Sequence, residues 1–285
     1  MAAINAIYST LLLTLGAALT ASISSCSSPA NNLNATSQSG DNTAIVIDNS
    51  VRPAADSARD RYRHPVETLA FFQLEPQHTV VEIWPGGGWY SRILAPYLQA
   101  DGRYIAAHWA ADSPVAFFRN SRAAFDQEFT QPEQPYGPVR VLILEPPRQN
   151  QLTADIQADR ILTFRNVHNW MRNHQEQAIF DSMFAALRAG GILGVVEHRA
   201  PPGFSRDDMV KSGYVSESYV QQLAENAGFV LEARSEVNAN TADSKDYPDG
   251  VWTLPPSLRL GETNKARYLT IGESDRMTLR FRKPL

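Results

Sequence analysis

Apolar positions along this chain recur with two periods that alternate. Short runs rich in β-branched residues at 79–83, 103–108, 139–144, 159–164 and 192–197 predict buried strands. Between them, residues 57–72, 90–98, 113–129, 175–187 and 216–227 carry apolar side chains at helical spacing. In the fourth of these, Ile179, Met183, Phe184 and Leu187 share one face. Ala189-Gly190-Gly191 is expected to end that helix, and Gly228 to cap the next. Residues 229–237 and 276–282 then predict two closing strands with no long helix between them, an antiparallel pair at the sheet edge. Strand–helix alternation requires a parallel sheet covered on both faces, with right-handed crossovers. The predicted class is therefore α/β: a doubly wound, seven-stranded, mostly parallel sheet with an antiparallel last strand.

The N-terminal region departs from this pattern. Residues 4–21 are apolar and small, followed by Ile23-Ser24-Ser25-Cys26 and a polar run, which reads as a secretory signal. An aliphatic residue three places before the only cysteine resembles the lipobox of bacterial lipoproteins, although no Lys or Arg precedes the apolar run. Residues 1–26 are thus expected to be a signal peptide, 27–55 a flexible tether rich in Ser, Asn, Ala and Thr, and 56–285 the folded domain. The expected location is outside the cytoplasm, periplasmic or at the outer membrane, with attachment through an acylated Cys26. One cysteine leaves no internal disulfide, so the core carries stability alone. Lys and Arg number 26 against 30 Asp and Glu, which gives no basic surplus for nucleic acid.

Candidate chemistry clusters where strands end. The loop EIWPGGGWY after the first strand lacks the GxGxxG spacing of dinucleotide folds and the Gly-Lys-Ser/Thr of a Walker loop. Residues just past the carboxyl ends of the strands face the ligand crevice in a doubly wound sheet. After the fourth strand, Asn166 and His168 are placed to bond a substrate and Trp170 to stack on it, with His168 the candidate general base. After the fifth, Glu197 and His198 read as a base with its orienting partner, or Glu197 as an ion pair with Arg199. No His pair has HExxH spacing, so a metal is not expected. Arg59, Asp60, Arg63 and His64 lie on a helix that either caps the ligand or forms a solvated face. Residues 238–256, with Tyr247 and Trp252, are long enough for a lid.

The strand order with a glycine loop after the first strand resembles the class I S-adenosylmethionine-dependent methyltransferases, a Rossmann-like fold. RHPVETLAFF, VVEIWPGGGWYSRILAPYL, FRNVHNW, GGILGVVEHRAPPG and DYPDGVWTLPP together resemble a narrower group, bacterial exported proteins labelled predicted methyltransferases. The resemblance implies S-adenosylmethionine as cofactor and a small-molecule methyl acceptor. It places Glu82, Pro85, Gly86, Gly87, Gly88, Tyr90 and Asn166 around the cofactor, with Trp84 where a first glycine would stand. His108 falls where the family carries the acid that holds both ribose hydroxyls, and Asp112 is a loop substitute for it. His168, His198 and Glu197 would be the catalytic residues. The alternative is an exported binding protein with this fold and no methyl transfer activity, favoured by His108 and by the export signal.

Overall fold

The computed structural model describes residues 45–136, 138–152 and 155–285; the expected signal peptide and Cys26 lie outside the described residues. Chain order begins with α1 (Ala54–Ser57), α2 (Asp60–Arg63), α3 (Pro65–Phe71), β1 (Thr79–Ile83), α4 (Ser91–Leu98), β2 (Arg103–His108) and α5 (Ala116–Phe129). It continues with β3 (Arg140–Ile143), β4 (Ala158–Phe164), α6 (Val167–Met171), α7 (Glu176–Ala186) and β5 (Leu187–His198). It closes with α8 (Arg206–Ser212), α9 (Glu217–Ala227), β6 (Val230–Ser235), α10 (Lys265–Ile271) and β7 (Arg276–Arg282).

The strands form one seven-stranded sheet in the order β3-β2-β1-β4-β5-β7-β6. β1 to β5 are parallel, and β7 runs antiparallel to both β5 and β6. Continuous burial of β1, β2 and β4 explains their unbroken apolar runs, because a central parallel strand is covered on both faces. Val81 and Ile83 enter one core with Ile161, Trp170, Ile179 and Phe180. Val80 enters the other with Phe72, Leu94 and Leu98, all fully buried. Each such side chain contributes roughly 1.5–3 kcal/mol by leaving water.

One expectation holds and two need correction. The expected antiparallel pair does lie at the sheet edge, with β7 between β5 and β6, and β6, with alternating exposure, forming the border. The helix expected at 57–72 is broken at His64, whose φ of 39° precedes Pro65, a place where the helical conformation is disfavoured. The helix expected at 175–187 ends at Ala186, and β5 already starts at Leu187, paired with Ala158. Gly190 and Gly191 do not stop a helix; they lie in a register irregularity before Ile192 pairs with Arg160.

The folded part also begins earlier than residue 56. Ile45 is buried, Tyr136 donates to the Val51 carbonyl at 3.0 Å, and Arg52 donates to both Asp60 oxygens at 2.7 and 2.8 Å. Among the described residues no helix is long and apolar enough to cross a membrane. β1 and β4 are adjacent, yet the chain proceeds from them toward opposite edges. That makes the gap between their carboxyl ends the switch point at which such sheets bind ligands.

Candidate active site

A cavity of about 360 Å³ opens at this switch point. The loop after β1 forms one side with Trp84, Pro85, Gly86 and Gly87. The β4 end supplies Arg165, Asn166, His168 and Asn169, and the β5 end supplies His198. Val251, Trp252, Pro255 and Pro256 close it from the long connection between β6 and β7, as a lid would. Arg172 and Arg259 sit over the Trp252 ring at 4.8 and 4.7 Å, which holds that aromatic in place.

The glycines of the loop have separate tasks. Gly86 has φ 59°, and a Cβ there would meet nothing within 4 Å, so its face toward the cavity is open. Gly88 has φ 76°, but a Cβ there would stand 2.5 Å from the Phe129 ring. Its small size serves packing against α5, and it does not line the cavity. Trp84 holds φ 47°, the left-handed conformation a glycine would adopt without strain. Asn166 fixes this loop by donating from Nδ2 to the Ile83 carbonyl at 2.8 Å.

Several residues that the family resemblance placed at a cofactor do not line this cavity. Glu82 is buried beneath the loop, where it accepts from Tyr104 at 2.6 Å and Ser91 at 2.9 Å. Burial pushes its carboxyl up to about 7, against the lowering effect of these two hydroxyls. Tyr90 stacks on Phe164 at 3.5 Å and is buried away from the cavity. His108 is fully buried against Phe125, with Nδ1 accepting from the Trp109 amide and Nε2 unpartnered. Asp112 is exposed and pairs with Arg148 at 3.2 Å. Trp170 is fully buried against Trp84 and Phe180 and cannot stack on a substrate.

His168, His198 and Glu197 do come together. Glu197 Oε1 lies 3.0 Å from His168 Nδ1 and accepts from the His198 amide at 2.8 Å. The carboxylate thus orients His168, whereas Arg199 pairs with Asp275 and Glu236. A carboxylate on Nδ1 favours the tautomer with its proton there, which leaves Nε2 as the basic atom. His198 uses Nδ1 to contact Ser274 Oγ at 2.5 Å, and its ring centre is 5.3 Å from that of His168. Burial, with His168, Arg165, Arg276 and Arg63 nearby, pushes His198 well below the usual histidine range. It is a neutral imidazole at physiological pH.

Ligand atoms of His168, Glu197 and His198 lie within 4.8 Å of one another, a set that a metal ion could share. α6 and β5 supply these residues from distant positions, so no HExxH-type spacing marks the set. Arg165, Arg276 and Arg63, which act on His198 after burial and His168, also repel a cation there. Glu273 is the partner of two of them, Arg63 at 3.2 Å and Arg276 at 3.1 Å, and of Arg59 at 2.6 Å. Burial alone would raise the Glu273 carboxyl, but Arg63, Arg276 and Arg59 hold it down to about 2. Arg165, Glu273, Ser274 and Arg276 had no assigned role from sequence, since only folding joins them.

The adenosyl half of the implied cofactor does not fit these residues. The resemblance implies a ribose at the end of β2; there His108 replaces the expected acid, and the nearby buried carboxylate of Glu145 is already taken by the Ala110 amide at 2.8 Å and Ser113 Oγ at 2.7 Å. Trp84 Nε1 donates to the Leu144 carbonyl just beyond β3 at 2.9 Å, laying the indole across the strand ends. Trp109 and Phe118 stack at 4.4 Å, and their centres lie 5.0 and 6.0 Å from Trp84. These rings fill the space directly over the ends of β2 and β3. A second pocket of about 270 Å³, lined by Gly86, Gly87, Phe125 and Glu128, borders the loop on its α5 side, and the larger cavity lies toward β4 and β5.

No family model matches this chain, and no curated protein matches it. Among solved structures, the [4+2]-cyclase SpnF superposes with a TM-score of 0.53 at 14% identity, covering 84% of this chain and 86% of its own. A SAM-dependent methyltransferase from Aquifex aeolicus gives 0.47 at 18% identity, covering 64% of this chain and 87% of its own. At such identities the likeness establishes the fold, the Rossmann-like fold found in S-adenosylmethionine-dependent methyltransferases.

Proposed function

We propose that this chain is a small-molecule-binding protein on the methyltransferase fold that does not use S-adenosylmethionine as a methyl donor. The observation that carries this reading is the aromatic packing of Trp84, Trp109 and Phe118 over the ends of β2 and β3. The remaining cavity, about 360 Å³, is within the size range of small-molecule sites. A cyclase with the same fold supports a function other than methyl transfer for such a scaffold.

Calorimetric titration of the full chain with S-adenosylmethionine and S-adenosylhomocysteine tests this. No heat of binding is expected from either compound. Saturable one-to-one binding of either one overturns the reading. It would support the second reading, methyl transfer from S-adenosylmethionine to a small-molecule acceptor, which the open face of Gly86 favours.

We further propose export and anchoring through an acylated Cys26, supported by the apolar segment that precedes it. Intact-mass measurement of the protein purified from bacterial membranes should show cleavage before Cys26 and an added lipid mass. A chain that retains its first residues without that mass contradicts the proposal.

A further inference from the structure

The charges around the cavity are not balanced. Arg165 lines it, yet its guanidinium makes no hydrogen bond or ion pair among the described residues; Glu273 and Glu197 act on it only at longer range. Arg59 also lines the cavity, and its Nη2 atom is buried without a partner. Behind them Arg63 is almost fully buried with Nη2 likewise unpartnered. Arg59, Arg63 and Arg276 all pair with the single carboxylate of Glu273, which reaches Arg165 only at longer range.

An unpaired buried guanidinium nitrogen is costly, as at Arg59 and Arg63, and the partly buried Arg165 faces the same cavity without a close counter-ion. Burial lowers Arg165 to about 10 and Arg63 to about 9, with neighbouring guanidiniums adding to the effect, as expected of cations that lack sufficient anion. The Arg165 backbone is held at φ 61° while its amide donates to the Val196 carbonyl at 2.7 Å. A left-handed backbone at a non-glycine residue costs energy and persists where the surroundings fix it. Asn166, on the same turn, is fixed by its bonds to Ile83 and Thr163, so the turn that presents Arg165 is tied to β1 and β4.

We propose that the cavity binds a small anion carrying a carboxylate or phosphate group, held by the Arg165 and Arg59 guanidiniums beside His168 and His198. Guanidinium forks suit both groups because each presents two coplanar acceptor oxygens. This deepens the proposed function and rests on it, because it names the ligand class for the same cavity.

Thermal unfolding of the full chain in inorganic phosphate, in succinate and in chloride of equal ionic strength tests the proposal. Phosphate or succinate should raise Tm by about 3 °C or more over chloride, since a ligand that binds only the native state stabilises it. A larger shift in one arm identifies phosphate or carboxylate as the preferred group. Arg165→Gln should abolish the anion-specific shift while its Tm in chloride stays at or above that of the wild type. A purely structural Arg165 would instead lower Tm in every medium. The absence of an anion-specific shift in the wild type, or its full retention in Arg165→Gln, overturns the proposal. Should Arg165→Gln not fold, calorimetry of Arg165→Lys with the better anion should show at least about tenfold weaker binding, through loss of the bidentate fork; unchanged affinity there also overturns it. Binding of S-adenosylmethionine would refute the proposed function, whereas insensitivity to both anions refutes only the anion site.

Discussion

On the β2–β3 side of the loop after β1, Trp84, Trp109 and Phe118 interlock and His108 is sealed beneath them. On the β4–β5 side, the same loop faces an open cavity with two imidazoles and an arginine that lacks a counter-ion. In a methyltransferase the two sides would share one ligand, the adenosyl half on the first and the reacting centre on the second. Here packed aromatic rings lie over the ends of β2 and β3, and the larger cavity lies beyond β4 and β5. Aromatic packing and an electrostatic cavity thus impose separate demands on separate residues around one loop.

The largest effect is expected on the charged side. Glu273→Gln leaves Arg59, Arg63 and Arg276 without their shared carboxylate, and should destabilise the protein by about 3–5 kcal/mol in urea unfolding at pH 7. The loss should be smaller in phosphate if an anion enters the cavity. In the wild type this acid is depressed, so its contribution is present above the ordinary carboxylate range and is lost as pH falls through about 2.

On the aromatic side, Trp84→Gly should cost about 2–4 kcal/mol, the burial of an indole less the strain that glycine relieves at φ 47°. The same substitution opens the adenosyl side, so calorimetric binding of S-adenosylhomocysteine should be detectable in this variant and not in the wild type. Equal binding by both proteins would dissolve the contrast between the two sides.

Glu82 lies beneath both. Its folded carboxyl is raised to about 7 from 4.5, so the native state holds its proton more tightly and stability falls as pH rises between those values. Glu82→Gln should remove that slope and exceed the wild type by on the order of 2 kcal/mol at pH 8. Denaturant midpoints measured at pH 5 and pH 8 provide the check. Asp112→Ala, at an exposed surface pair with Arg148, should change stability by less than about 0.5 kcal/mol and leave both sides as they are.

Much of the framework was legible because its causes are local. β2 and β7 begin and end at the residues that the apolar runs mark, and Gly228 caps α9 in the left-handed conformation. The start of β5 was not legible, since Gly190 and Gly191 carry the composition of a helix end and sit instead in an irregular strand. His168 and His198 could be placed at the crevice from the rule that strand ends face it. The orientation of the rings could not, and Glu197 serves His168 from a position 29 residues away.

The sequence by itself determined the alternation of elements, the parallel sheet and the loops that reach its ligand-binding edge, because side-chain period and turn chemistry act over a few residues. Only the tertiary structure decided that β7 enters between β5 and β6, that Trp84 lies across β2 and β3, and that Arg165 is left without a counter-ion. These depend on which distant groups share a volume and a charge, and no local pattern records that.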